Sequence, residues 1–153
     1  MALVTPLLLI IMMGSMELGN YFLDEHALVK AVRDGARFAG RQSFTNYGCP
    51  AGGTMSTGTS PGSDIKNVVN TGQASGGTNR LPLVVNPVIS WTCVTTTGGQ
   101  MMSGIYRPGT GTGYAPVVTV SATVAYTPVM KSFGFRGVGM TLNATQQAAV
   151  MGI

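Results

Sequence analysis

Hydrophobic residues dominate the start of the chain without a break. Met1 to Met16 carry no charge, and from Glu17 onward apolar positions recur at helical spacing instead of filling every place. Leu18, Phe22, Val29, Val32, Ala36 and Ala39 fall within one broad face, while Asp24, Lys30, Arg33, Asp34, Arg37 and Arg41 lie mostly outside it. The pattern predicts one helix over residues 1–41, apolar all round at first and amphipathic later. At 1.5 Å per residue the uncharged part is about 24 Å long, slightly short of the ~20 residues that cross a bilayer comfortably. Pro6 is harmless if it falls in the first helical turn and kinks the helix if a turn precedes it.

After Gln42 the pattern changes to period two. Val118, Val120, Ala122, Val124 and Tyr126 alternate with Thr119, Ser121 and Thr123, which predicts a half-buried antiparallel strand over 117–126. Residues 81–85 and 88–96 read as β-rich segments bounded by proline, with Ile89, Trp91 and Cys93 on one face, and 140–145 reads as a further strand. Residues 64–73 predict a short helix, with Asp64 as its cap and Ile65, Val68 and Val69 at helical spacing. The stretches CPAGGTMSTGTSPGS and TGQASGGTN read as loops. The fold class is therefore α+β: a helical unit over residues 1–41 that carries a small antiparallel β-rich globular domain over 42–153.

Charge removes several functions. From Ser43 to Ile153 the only charged residues are Asp64, Lys66, Arg80, Arg107, Lys131 and Arg136. The net charge of +4 is scattered, and aromatic residues do not interleave with the bases, so nucleic acid is not the expected partner. Catalysis by paired carboxylates needs two acids in one cleft, and the domain offers Asp64 alone. Gly109, Gly111 and Gly113 imitate a phosphate loop, but no Lys-Ser/Thr pair follows them. With a single histidine, His26, and two cysteines, a zinc site lacks its ligands. No enzyme activity, cofactor or metal is expected. A disulfide between Cys49 and Cys93 is the stronger reading and two buried thiols the alternative; the bond would close a loop of about 43 residues, worth ~3 to 4 kcal/mol, and implies an oxidising compartment.

A signal peptide fits poorly, because no basic segment precedes the apolar run, no small-residue cleavage site follows it, and helical periodicity continues past it. A simple membrane anchor is the better alternative. Several motifs favour a more specific reading. Ala2-Leu3-Val4-Thr5-Pro6-Leu7, the step from Gly14 to Gly19 around Glu17, the run Arg33 to Ala39, and Tyr126-Thr127-Pro128 follow one another in an order that resembles the TadE-like family of tight-adherence (Tad) pilus proteins, relatives of type IV pilins and pseudopilins. That family has an apolar segment of the form EFALVLPLLL, a GxxEFG-like step, REGARYA, and a late strand ending in YxP.

The resemblance implies a structural subunit of an extracellular filament: a homo-oligomer that waits in the inner membrane, is extracted by the pilus assembly machinery, and buries its apolar helix against those of other copies. On that reading Leu3, Pro6, Leu7, Ile10, Ile11, Gly14, Glu17, Leu18 and Phe22 form the filament core, and Lys30 and Arg33 are charge partners between subunits. Glu17 has no basic neighbour three or four residues away on its own helix, so it either marks the membrane border or pairs with another subunit. The bases after the apolar run argue for a cytoplasmic domain by the positive-inside rule. The cysteines, the low-charge domain and the resemblance together outweigh it and place the domain outside. An adhesin on an anchor, or a minor pseudopilin outside the filament shaft, is the alternative.

Overall fold

The computed structural model describes residues 4–82, 84–95, 114–133 and 139–152. A single helix, α1 (Val4–Gly40), runs for 37 residues, about 55 Å at the standard rise. It is continuous through the change from apolar to amphipathic sequence, and Pro6 falls in the first turn of its described part. The rest is a four-stranded antiparallel meander of β1 (Gly53–Met55), β2 (Val88–Thr95), β3 (Tyr114–Ala125) and β4 (Thr141–Ala149), in the order β1-β2-β3-β4, with a second helix, α2 (Gly62–Thr71), beside α1. The α+β class is as the sequence implies: a long apolar helix followed by a small antiparallel sheet domain.

One face of the sheet is covered and the other is polar. Ile89 of β2, Val118, Val120 and Ala122 of β3, and Leu142 and Ala144 of β4 point inward and are buried together. They meet Leu28, Ala31, Val32, Ala36 and Ala39 of α1. The buried face of α1 is therefore Leu28 to Gly40, not the broader stripe that began at Leu18; Leu18 and Phe22 project away from the domain, and Val29 lies at the edge of the core. Small residues dominate that face for a steric reason. A Cβ on Gly35 would collide with Val69 Cγ2 of α2, and one on Gly40 would stand 2.9 Å from the Ala149 carbonyl oxygen.

Tertiary pairing redraws several sequence boundaries. Gly53–Met55, read as loop, is an edge strand, with Gly53 opposite Trp91 and Met55 opposite Ile89. Strand β4 extends to Ala149, past the expected end at Thr145, because the Gln-Gln-Ala-Ala segment continues the ladder along β3, Val117 facing Ala149; sheet pairing overrides weak local preference. Helix α2 begins at Gly62, with Pro61 rather than Asp64 at its cap position; Asp64 sits in the first turn, where its carboxylate accepts from the Ser60 hydroxyl at 2.7 Å. Gly72, at φ 84°, ends the helix in the left-handed region, so Gln73 lies outside it.

The described residues of the segment 81–85 form no strand. Leu81 and Val85 are buried as the apolar pattern implied, but the backbone finds a side chain in place of a neighbouring strand. The buried Asn70 accepts from the Val85 N–H at 2.7 Å and donates to the Val85 carbonyl at 2.8 Å, and its own carbonyl accepts from the Arg80 N–H at 2.8 Å. One amide thus takes the place of a strand partner. Arg80 adds a half-exposed ion pair to Asp34 of α1 at 2.6 Å, worth less than ~1 kcal/mol.

The end of α1 is tied to β2 by the expected disulfide between Cys49 and Cys93, whose Cα atoms are 5.8 Å apart. Beside it Tyr47 is buried, donates to the Ala39 carbonyl at 2.6 Å and stacks edge-on against Trp91, with ring centroids 5.8 Å apart. Burial pushes the Tyr47 phenol up to about 12 from an ordinary value of 10.0.

Two expectations follow. Asn70→Ala leaves the Val85 N–H and carbonyl unpaired in a buried site, so urea melts should show a loss of about 2 to 6 kcal/mol, from ~1 to 3 kcal/mol for each of the two orphaned groups. For Tyr47 the unfolded phenol ionises near 10 and the folded one only near 12. Its stabilising contribution is complete below pH 10 and falls as pH rises toward 12, with a slope of at most about 1.4 kcal/mol per pH unit. Unfolding followed by Trp91 fluorescence across that window should show the decline, and Tyr47→Phe should be less stable at neutral pH but flatter in slope.

Candidate functional site: the bare helix and its junction with the domain

The apolar N-terminal part of α1, Val4 to Met16, has no cover. None of its most apolar 18-residue window is buried by the chain itself, and length and composition suffice to cross a membrane. Leu7, Ile10 and Ile11 are 58%, 62% and 59% exposed. These three share one face, but Leu8 and Leu9 are 60% and 53% exposed as well, and the four consecutive residues 7–10 step about 100° apart around the helix, so the apolar surface is a cylinder and not a stripe. Leu18 and Phe22 extend it toward the domain. A Cβ on Gly14 or Gly19 would touch nothing within 4 Å, so both glycines are open to whatever packs there. Leu3 lies outside the described residues.

Glu17 stands at the lower edge of the domain. The 3-10 turn Val129–Phe133, which follows β3, presents its first backbone N–H groups to this carboxylate: Val129 donates at 3.2 Å and Met130 at 3.0 Å. The Tyr126 hydroxyl donates at 2.6 Å. Three donors from one short segment therefore converge on a single side chain, which acts as a cap supplied by another element. Asn20, one turn on, donates to the Tyr126 hydroxyl at 3.1 Å, and Tyr21 packs edge-on against the Tyr126 ring at 5.2 Å while donating to the Thr141 carbonyl at 3.4 Å. Burial is the main cause that raises the Tyr126 phenol above its ordinary range, and the Glu17 carboxylate adds to it.

Glu17 thus has partners that the sequence did not reveal. Its own helix offers no cation, as expected, but the chain returns from the far end of β3 with neutral donors. Two motifs written 109 residues apart, the Gly14–Gly19 step and Tyr126-Thr127-Pro128, meet in space at this clamp. Lys30 and Arg33 are exposed, and the ion pair found among the described residues joins Arg80 to Asp34 instead.

No group of three metal-type ligands occurs among the described residues, and His26 is exposed. Gly109, Gly111 and Gly113 lie outside the described residues. The site can therefore do mechanical work: it holds a bare apolar helix at a fixed angle to a folded domain.

Such an arrangement defines a class, a domain carried on an apolar helix that must be covered by lipid or by other protein. Residues 1–37 match the family model described as TadE-like protein, in agreement with the motif resemblance. No curated protein and no solved structure matches the chain.

The clamp makes a defined prediction. In Glu17→Gln the side chain keeps one acceptor oxygen and turns an amide NH₂ toward the backbone donors, so at least one of the Val129 and Met130 N–H groups loses its partner. Amide hydrogen exchange at these two residues should accelerate about tenfold or more, while core amides such as Val120 keep their rates. Unchanged protection at 129 and 130 would show that the clamp does not hold the turn.

Proposed function

We propose that this protein is a structural subunit of an extracellular Tad-type pilus filament, resident in the inner membrane through α1 until the assembly machinery extracts it. One observation carries the reading: a continuous helix whose C-terminal part, Leu28 to Gly40, packs in the core of the domain and whose apolar N-terminal part, Val4 to Met16, is left uncovered. The TadE-like match over residues 1–37 supports a pilus-associated role. In this reading residues 1–41 build the filament and 42–153 form its surface. Leu3, Pro6, Leu7, Ile10, Ile11, Gly14, Leu18 and Phe22 pack between subunits, with Glu17 fixing the helix to its own domain at the edge of that core. Lys30 and Arg33, both exposed, are available for charge pairing with neighbours.

The energetics are adequate. Eleven large apolar side chains between Val4 and Leu23 are about half exposed or more. Covering the remainder is worth on the order of 10 kcal/mol per subunit, from roughly 1.5 to 3 kcal/mol for each fully buried side chain. No covalent bond between subunits is needed.

Electron micrographs of the purified full chain, moved from detergent into buffer, should show helical fibres. Removing residues 1–15 should abolish them and leave a soluble monomer, because Glu17 and the whole buried face from Leu28 onward are retained. Fibres formed without residues 1–15 would reject the reading. Single particles from the full chain, together with binding of its domain to a glycan or protein, would favour an anchored adhesin or a minor pseudopilin.

A further inference from the structure

Between α1 and the turn after β3 lies a groove of about 280 Å³, lined by Met16, Glu17, Gly19, Asn20, Leu23 and Val129. Its rim is apolar and open: Met16, Leu23 and Val129 are 58%, 69% and 59% exposed. Its two polar side chains are already engaged within the chain. Glu17 receives three donors from its own chain, and Asn20 is bonded to Tyr126. The charged group among the lining residues, the Glu17 carboxylate, is already hydrogen-bonded within the chain, so placing the groove in a medium with little water orphans no charge.

The surroundings identify that medium. The groove continues the exposed apolar surface of α1 without a break, and at the same level stand Tyr21, the half-exposed Phe22 and the exposed Met140. Lys131, two residues past Val129, is exposed as well. Aromatic rings and a lysine at the end of an apolar helix are the composition of a membrane-water boundary. A second helix, about 10 Å across, would fill so small a groove with only one or two side chains. A flexible hydrocarbon chain fits along it.

We infer that this groove holds a lipid acyl chain and that the turn Val129–Phe133 is a second membrane contact, so that the domain sits on the bilayer instead of standing off on a stalk. The inference rests on the membrane-resident stage of the proposed function and adds to it a lipid site outside the spanning helix. Glu17 then has a further role: by capping the turn it removes the two N–H groups that would otherwise keep Val129 in water.

The full chain, oxidised at Cys49 and Cys93, should be labelled with an environment-sensitive fluorophore at Val129→Cys and reconstituted into phosphatidylcholine vesicles whose acyl chains carry spin labels. Val129 serves Glu17 through its backbone, so this variant keeps the clamp; Met140→Cys is the second site, should the first fail to fold. Labels at 129 and 140 should be quenched at least about twofold more than one at Gln147→Cys, an exposed β4 position nearer the other end of the strand, as expected for a face lying some 5–10 Å into the boundary. A label at Leu8→Cys reports the helix itself. Quenching at Leu8 with water-like emission at 129 and 140 overturns the lipid site and leaves the membrane anchor standing. Absence of quenching at Leu8 overturns both. Shielding at 129 that appears only when fibres form assigns the groove to a neighbouring subunit and also overturns the inference.

Discussion

Everything above the membrane-sized part of this molecule depends on the packing of Leu28 to Gly40 of α1 against β3 and β4. Among the described residues the sheet is a single layer, with no second sheet to close its core. It needs one apolar cover, and α1 provides it with a face of alanine, glycine and valine that lets the helix approach the strands closely. The same helix is then committed along its length. A straight α-helix propagates its direction, so fixing three turns on the sheet also fixes where the bare turns point.

Packing alone would leave the junction loose, because burial of the helix against the sheet thins out on the N-terminal side of Leu28. The clamp at Glu17 lies about three turns from that point and holds the return of β3 to the helix by hydrogen bonds, beside the edge-on contact of Tyr21 with Tyr126. Its donors are neutral, and two are backbone groups that any residue would supply. The specificity resides in Glu17, Tyr126 and the turn geometry. A salt bridge there would have asked for a second charge to be desolvated beside an apolar surface, which is costly. Three neutral donors stabilise the carboxylate without importing one.

Those differences mark what sequence reasoning could reach. The long helix, the strand β3 and the disulfide were legible because each depends on a strong local signal: an uncharged run, strict alternation from Val118 to Tyr126, and two cysteines with no competing chemistry. The strand at Gly53–Met55 was not, since three residues in a glycine-containing loop are too few to carry a periodicity, and they pair with β2 beside the Cys49–Cys93 tie. Residues 81–85 misled for the opposite reason. Their apolar character reported burial correctly, but burial is not pairing, and a single asparagine on α2 replaced the missing strand. Glu17 was visible as an isolated charge, and its lack of a helical cation was correct. Its partners were beyond reach because the residues that meet it are 109 or more positions away and two of them act through the backbone, which leaves no trace in side-chain chemistry.

Under the proposed function, the clamp also explains how one chain can suit two environments. A helix destined for lipid first and protein later must present a surface that neither setting penalises, and an unbroken cylinder of leucine, isoleucine and methionine does so because hydrocarbon and a packed helical core are similar solvents for it. The charged border residue is the weak point of such a design, since a free carboxylate suits water and neither of the other two. Tying Glu17 to Tyr126, Val129 and Met130 carries its hydrogen-bond partners along with it. The solvation of the border residue then belongs to the fold and stays the same when the surroundings of α1 are exchanged. In consequence, transfer of the helix from one apolar medium to the other need not be opposed by the single charge at its edge.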